Sequence, residues 1–195
     1  MPPKKKTKAK PKSLKPKPGA LLISEPFNPE PKFKRAVVLI SQHDKRGTIG
    51  FILNKPIDVK LKGSIPDFTE YKGALFLGGP INKNQLFFIH TLGPQIEGSI
   101  EIMEGLHWGG EITQLKKMIL AKKVKSSDFR FFAGYSGWRP KQLDNEFKTK
   151  SWIVAQAKPE QIMDENTNRL WSNILKTMGN EYAMLANFPE NPSLN

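Results

Sequence analysis

Cysteine is missing from all 195 residues, and its absence removes three chemistries together: a disulfide framework, a thiolate metal site and a cysteine nucleophile. Histidine is scarce. His43, His90 and His107 have no short ligand spacing among them, so no metal site is expected. Long apolar runs are lacking too, with nothing approaching the roughly 20 residues of a membrane helix. The short run Ala20-Leu21-Leu22-Ile23 ends at once in Ser24, Glu25 and Pro26, which argues against a signal peptide. These absences point to a cytoplasmic chain with no membrane span.

Acidic residues are absent from positions 1–18, where Lys4, Lys5, Lys6, Lys8, Lys10, Lys12, Lys15 and Lys17 alternate with proline and alanine. Such a segment has almost nothing to bury and cannot offset the entropy of ordering, so residues 1–18 read as a disordered Lys/Pro-rich tail. It supplies eight of the thirteen net positive charges, leaving 23 basic against 18 acidic residues in 19–195. The basic character therefore belongs to the tail. As a polycation the tail is suited to weak, non-specific contact with nucleic-acid phosphates; the plainer reading is a solubilising extension.

From Gly19 onward the pattern is that of one domain, 19–195. Ala20 to Ser24 reads as a strand, and Arg35 to Gln42 with Thr48 to Asn54 as a hairpin joined by a five-residue loop. Gly73 to Leu77, Leu86 to Thr91, Gly98 to Met103, Phe129 to Ala133 and Ser151 to Ala157 are further strands. Helices are expected over about Glu111 to Lys122, from Pro140 onward, and over about Thr167 to Met178, ending at Gly179. Several strands precede the first helix and then the two types alternate. A mixed sheet with helices packed on it follows from that order.

The segment Gly134-Tyr135-Ser136-Gly137-Trp138-Arg139, followed by Gln142, reads as a glycine-bearing turn between a strand and a helix start. That geometry aims backbone N–H groups and the helix dipole at an anion, with Arg139 and Lys141 adding charge. The alternative is a tight turn whose aromatic residues fill the core. A serine-hydrolase elbow fails: Trp138 stands where G-x-S-x-G needs its second glycine, and no histidine follows. Gly78-Gly79-Pro80 ends a strand but lacks the lysine and hydroxyl of a phosphate loop, and no cofactor is expected. His90 closes an apolar strand, and Asp144 with Glu146 read as solvent-facing acids.

Taken in order, Gly19 to Pro26, Gly50 to Pro56, Gly78-Gly79-Pro80-Ile81, Phe88-Ile89-His90 and Gly134 to Trp138 with Gln142-Leu143 resemble the AlgH-like (YqgE/AlgH) family of bacterial proteins. The resemblance implies an α+β single domain with a bulged, partly barrel-like mixed β-sheet and peripheral helices. It also implies a transcriptional-regulator role, without a catalytic set to carry over. Relatives often have glycine where this chain has Arg139 and Lys141. The matching segments fall at strand ends, where ligand sites gather. The expectation is one groove formed by Asn54, Gly78, Gly79, Pro80, His90, Gly134, Tyr135, Ser136, Gly137, Trp138, Arg139 and Gln142, binding a protein partner or small anionic ligand. Binding is favoured over catalysis, the alternative being an enzyme built on His90, Tyr135 and Ser136.

Overall fold

The computed structural model describes residues 14–57, 68, 71 and 73–188. Most of the tail, positions 1–13, lies outside the described residues, and with it most of the proposed nucleic-acid contact. Among the described residues there are ten strands: β1 Ala20–Ser24, β2 Val37–Asp44, β3 Gly47–Ile52, β4 Pro56–Ile57, β5 Leu75–Leu77, β6 Ile81–His90, β7 Ile100–Met103, β8 Leu106–Trp108, β9 Phe129–Trp138 and β10 Trp152–Gln156. Five α-helices accompany them among the described residues: α1 Ile112–Leu120, α2 Gln142–Lys148, α3 Pro159–Ile162, α4 Leu170–Thr177 and α5 Asn180–Leu185. Among the described residues no helix is long and apolar enough to cross a membrane.

The strands form one sheet in the order β10-β1-β2-β3-β9-β6-β8-β7, with β5 joining β9 and β4 joining β5. Pairing is antiparallel except for β5 with β9, which is parallel. The fold is therefore an α+β domain on a mixed sheet, and the sheet is not closed into a barrel. Register shifts interrupt β2, β6 and β7, the bulges that bend a strand and tighten its twist.

The apolar runs of β1, β2 and β3 show no polar alternation because both sheet faces are covered. Leu21, Ile23, Val37, Leu39, Phe51 and Leu53 join Leu170, Trp171, Ile174 and Leu175 of α4 on one side. Their neighbours Ala20, Leu22, Val38, Ile40 and Ile52 point the other way, toward Leu143 of α2, Trp138 and Trp152. Further along that second face, Phe88, Phe129 and Phe131 receive Leu115 and Ile119 of α1. The period of two thus divides each strand between two cores.

β9 organises the molecule. At its start it lies between β5 and β6, and at its end Ser136, Gly137 and Trp138 pair with Gly50, Ile49 and Thr48 of β3. The expected turn at Gly134 to Trp138 is therefore corrected: it is strand, and the N–H groups expected to face an anion lie within the sheet. The hairpin loop is also shorter than expected, since Asp44 pairs with Gly47 and leaves Lys45 and Arg46 at the tip.

Candidate functional site

The end of β9, the β2–β3 hairpin and the first residues of α2 enclose a surface groove of about 300 Å³. Five of the residues expected at the site line it: Tyr135, Gly137, Trp138, Arg139 and Gln142. Asp44, Arg46 and Thr48 come from the hairpin, and Ile81 from the start of β6.

The groove's charges are arranged unequally. Asp44 accepts hydrogen bonds from the Arg46 backbone at 2.7 Å, the Arg46 guanidinium at 2.8 Å and Gln42 at 2.9 Å. These bonds, Arg46's first, hold its carboxyl well below the usual carboxylate range. Arg139 is different. Its backbone N–H donates to Gln142 Oε1 at 3.0 Å, while its guanidinium has no ion-pair partner among the described residues. Lys141, the next cation, takes φ 64°, the left-handed region that favours glycine.

Beneath the groove, Glu146 of α2 is the fastening. Its Oε2 accepts the indole N–H of Trp138 at 2.8 Å and of Trp152 at 2.7 Å, while Oε1 accepts from Gln142 at 3.0 Å. The expectation of a solvent-facing acid is corrected for Glu146, which is half-buried, and holds for Asp144, which is exposed.

Other expected residues lie behind the groove or away from it. Gly78 O accepts both the Ile52 N–H at 2.9 Å and the Ser136 hydroxyl at 3.1 Å. Ser136 is fully buried, so its oxygen is a structural tie between β9 and the Gly78-Gly79 segment. Gly134 and Gly79 let these backbones cross closely, and Pro80 is exposed beside them. Asn54 lies past the opposite end of β3, where it bonds the Val37 N–H at 2.9 Å and the Arg35 carbonyl at 2.8 Å.

His90 does not reach this groove. It pairs with Phe129 at the far end of β9, seven residues from Ser136, or roughly 23 Å of strand. The single groove containing His90, Asn54 and Trp138 is thus corrected to a smaller one at the β9 end, and His90 with Ser136 forms no catalytic pair.

His90 is fully buried, with Nε2 3.2 Å from Gly109 O and Nδ1 3.3 Å from the Leu92 N–H. Nδ1 must accept from Leu92, so the proton sits on Nε2 and the ring is neutral. Burial, aided by His107, lowers its pKa to about 4. An unfolded histidine titrates near 6.5, so the unfolded state takes the proton first as pH falls. The His90 contribution is complete above the unfolded value and is lost on descent toward about 4. Between pH 7 and pH 5 this should cost about 2 kcal/mol of unfolding free energy. Urea titrations at both pH values test it, with His90→Gln expected to flatten the difference.

Arg130 is the residue that sequence reasoning missed. It interrupts the apolar run of β9 with a charge, yet only 4% of it reaches solvent. That interruption was the available signal.

Comparison with known proteins agrees with this architecture. Residues 21–183 match the model of the AlgH-like family (DUF179). A UPF0301 protein of Chlorobaculum tepidum is 41% identical over 179 residues, covering 92% of this chain and 96% of that protein. A UPF0301 protein of Cytophaga hutchinsonii is 37% identical over 178 residues, covering 91% and 98%. Among solved structures, a Corynebacterium diphtheriae protein has a TM-score of 0.76 at 24% identity, covering 91% of this chain and 95% of that one. The solution structure of the AlgH protein from Pseudomonas aeruginosa has a TM-score of 0.69 at 20% identity, covering 94% and 99%. At those identities the two structures speak for the fold alone.

Proposed function

The chain belongs to the AlgH-like family, and from that premise we infer that it is a non-catalytic interaction domain holding an anionic group of a protein partner in the groove at the end of β9. The observation that carries this reading is the Arg139 guanidinium, which lines a groove with no ion-pair partner among the described residues. Arg46 stands opposite it on the hairpin, with Tyr135 and Gln142 supplying polar groups between them. A carboxylate or phosphate entering there meets a ready bidentate donor. The transcriptional-regulator role that the family resemblance implies would then act through contact with a protein. The lysines of residues 1–18 would add a salt-sensitive contact with phosphates.

The test is an NMR titration with a short oligo-glutamate peptide. Amide shifts are expected at Thr48, Tyr135, Gly137 and Arg139, and Arg139→Glu should weaken binding at least about tenfold. Shifts confined to the lysine-rich tail, or an Arg139→Glu variant that binds as well as the parent, would overturn the reading.

A further inference from the structure

Away from the groove, the buried Arg130 presents a different problem. A guanidinium carries a permanent charge and five N–H donors. Two carbonyls accept from it, Asp164 O at 2.6 Å and Leu53 O at 3.5 Å, and the Phe76 ring lies 4.8 Å from its central carbon. Among the described residues no carboxylate forms an ion pair with it. A buried charge without a direct ion-pair partner is costly to hold, even with the Asp164 and Glu165 carboxylates acting on it from beyond contact. Burial pushes its pKa down to about 10, so at neutral pH it remains a cation.

Arg130 also lines a cavity of about 280 Å³ whose other walls include Tyr71, Phe76, Phe129 and Met163. The Tyr71 hydroxyl, its pKa raised to about 12 by burial, stays protonated and bonds Ala74 O at 3.2 Å. At the rim, Glu165 is exposed and accepts from Ser126 at 3.2 Å. The cavity wall is therefore mixed, polar and apolar in about equal parts, with the Phe76 and Phe129 rings and Met163 beside one cationic fork and an acid at the mouth. Those features select a ligand with a single negative charge and a hydrocarbon body.

We propose that this cavity binds a small organic monocarboxylate, its carboxylate held by the Arg130 guanidinium and its hydrocarbon part against Phe76, Phe129 and Met163. The rim Glu165 disfavours a doubly charged phosphate by like-charge repulsion. The volume suits a short acid or a single aromatic ring, below the usual size of a drug-like site. This site is separate from the β9-end groove and stands or falls independently of it.

The full-length protein is titrated with propanoate and with benzoate, alongside inorganic phosphate and sodium chloride at matched ionic strength. The readouts are the melting temperature and the Arg130 Nε resonance. A saturable rise in melting temperature is expected with at least one carboxylate, because a ligand that binds only the folded state stabilises it. The Nε resonance should move with it, and phosphate should do neither. Arg130→Lys keeps the charge but loses the fork, and should weaken binding at least about tenfold. Ala74→Trp, at the exposed mouth, should abolish the response while leaving the melting temperature of the free protein unchanged. If Arg130→Lys does not fold, Ala74→Trp and the Nε resonance decide the matter. The proposal is overturned if neither carboxylate exceeds the salt control, if phosphate matches them, or if Ala74→Trp responds like the parent.

Discussion

Replacing Gly78 by alanine is expected to lower the unfolding free energy by about 4 kcal/mol, among the largest effects of any single substitution in this chain. A Cβ at Gly78 would stand 2.1 Å from Gly134 O and 3.0 Å from the Phe132 Cβ. The first contact is with backbone inside the sheet, which cannot turn aside as a flexible side chain does. Relief would require β5 to move from β9, at the place where Gly78 O holds Ile52 and Ser136 together. Gly105→Ala is the control. Its Cβ meets nothing within 4 Å, but its φ is 77°, so backbone strain alone should cost about 1 kcal/mol. Urea denaturation of both variants measures the difference. A Gly78→Ala variant within the control's range would mean that the strands do not cross this closely.

That crossing also explains what could and could not be seen in the sequence. β1 and the arms of the hairpin were legible because their apolar runs are short, dense and bounded by proline or glycine, and burial on both faces keeps them free of polar alternation. The final strand stretch from Gly134 to Trp138 was misread for a physical reason. Two glycines beside a serine look like a turn, yet here they make room for other chain segments, Gly134 for the Ile81 carbonyl and Gly137 for the Ile81 and Tyr135 side chains. Proximity of that kind joins residues some fifty positions apart, and no local pattern records it. Helices α3 and α5 are four and six residues long, too short for a helical period to declare itself. Of the candidate site, the cluster from Tyr135 to Gln142 was found because it is contiguous. Its facing wall on the β2–β3 hairpin was not, because only the pairing of β3 with β9 brings Arg46 there. His90 was drawn into the site by its position at a strand end, although the strand runs toward the other side of the molecule.

Glu146 shows the same limit and supplies the second large effect. Its side chain lies two residues from Asp144 on a helix, and that spacing says only that the two diverge. Which of them turns inward depends on Trp152 in β10, an element later in the chain. Glu146→Ala removes the acceptor from two indole N–H groups whose tryptophans are each only 4% exposed. Each orphaned donor costs its desolvation, so the loss should be about 3 kcal/mol. Glu146→Gln separates geometry from charge. Its amide oxygen can still accept both indoles, while its NH₂ must be met by a reoriented Gln142, so a loss of about 1 kcal/mol is expected. Urea unfolding gives both values, and the near-ultraviolet circular dichroism of Trp138 and Trp152 should weaken in the alanine variant. Because the Glu146 acceptor fastens α2 to the sheet beneath Arg139 through both indoles, the alanine variant should bind the oligo-glutamate peptide more weakly than the glutamine variant does. Equal stability of the two variants would remove the carboxylate's role in fastening α2 to the sheet, and with it the rigid support that Arg139 needs to present its charge.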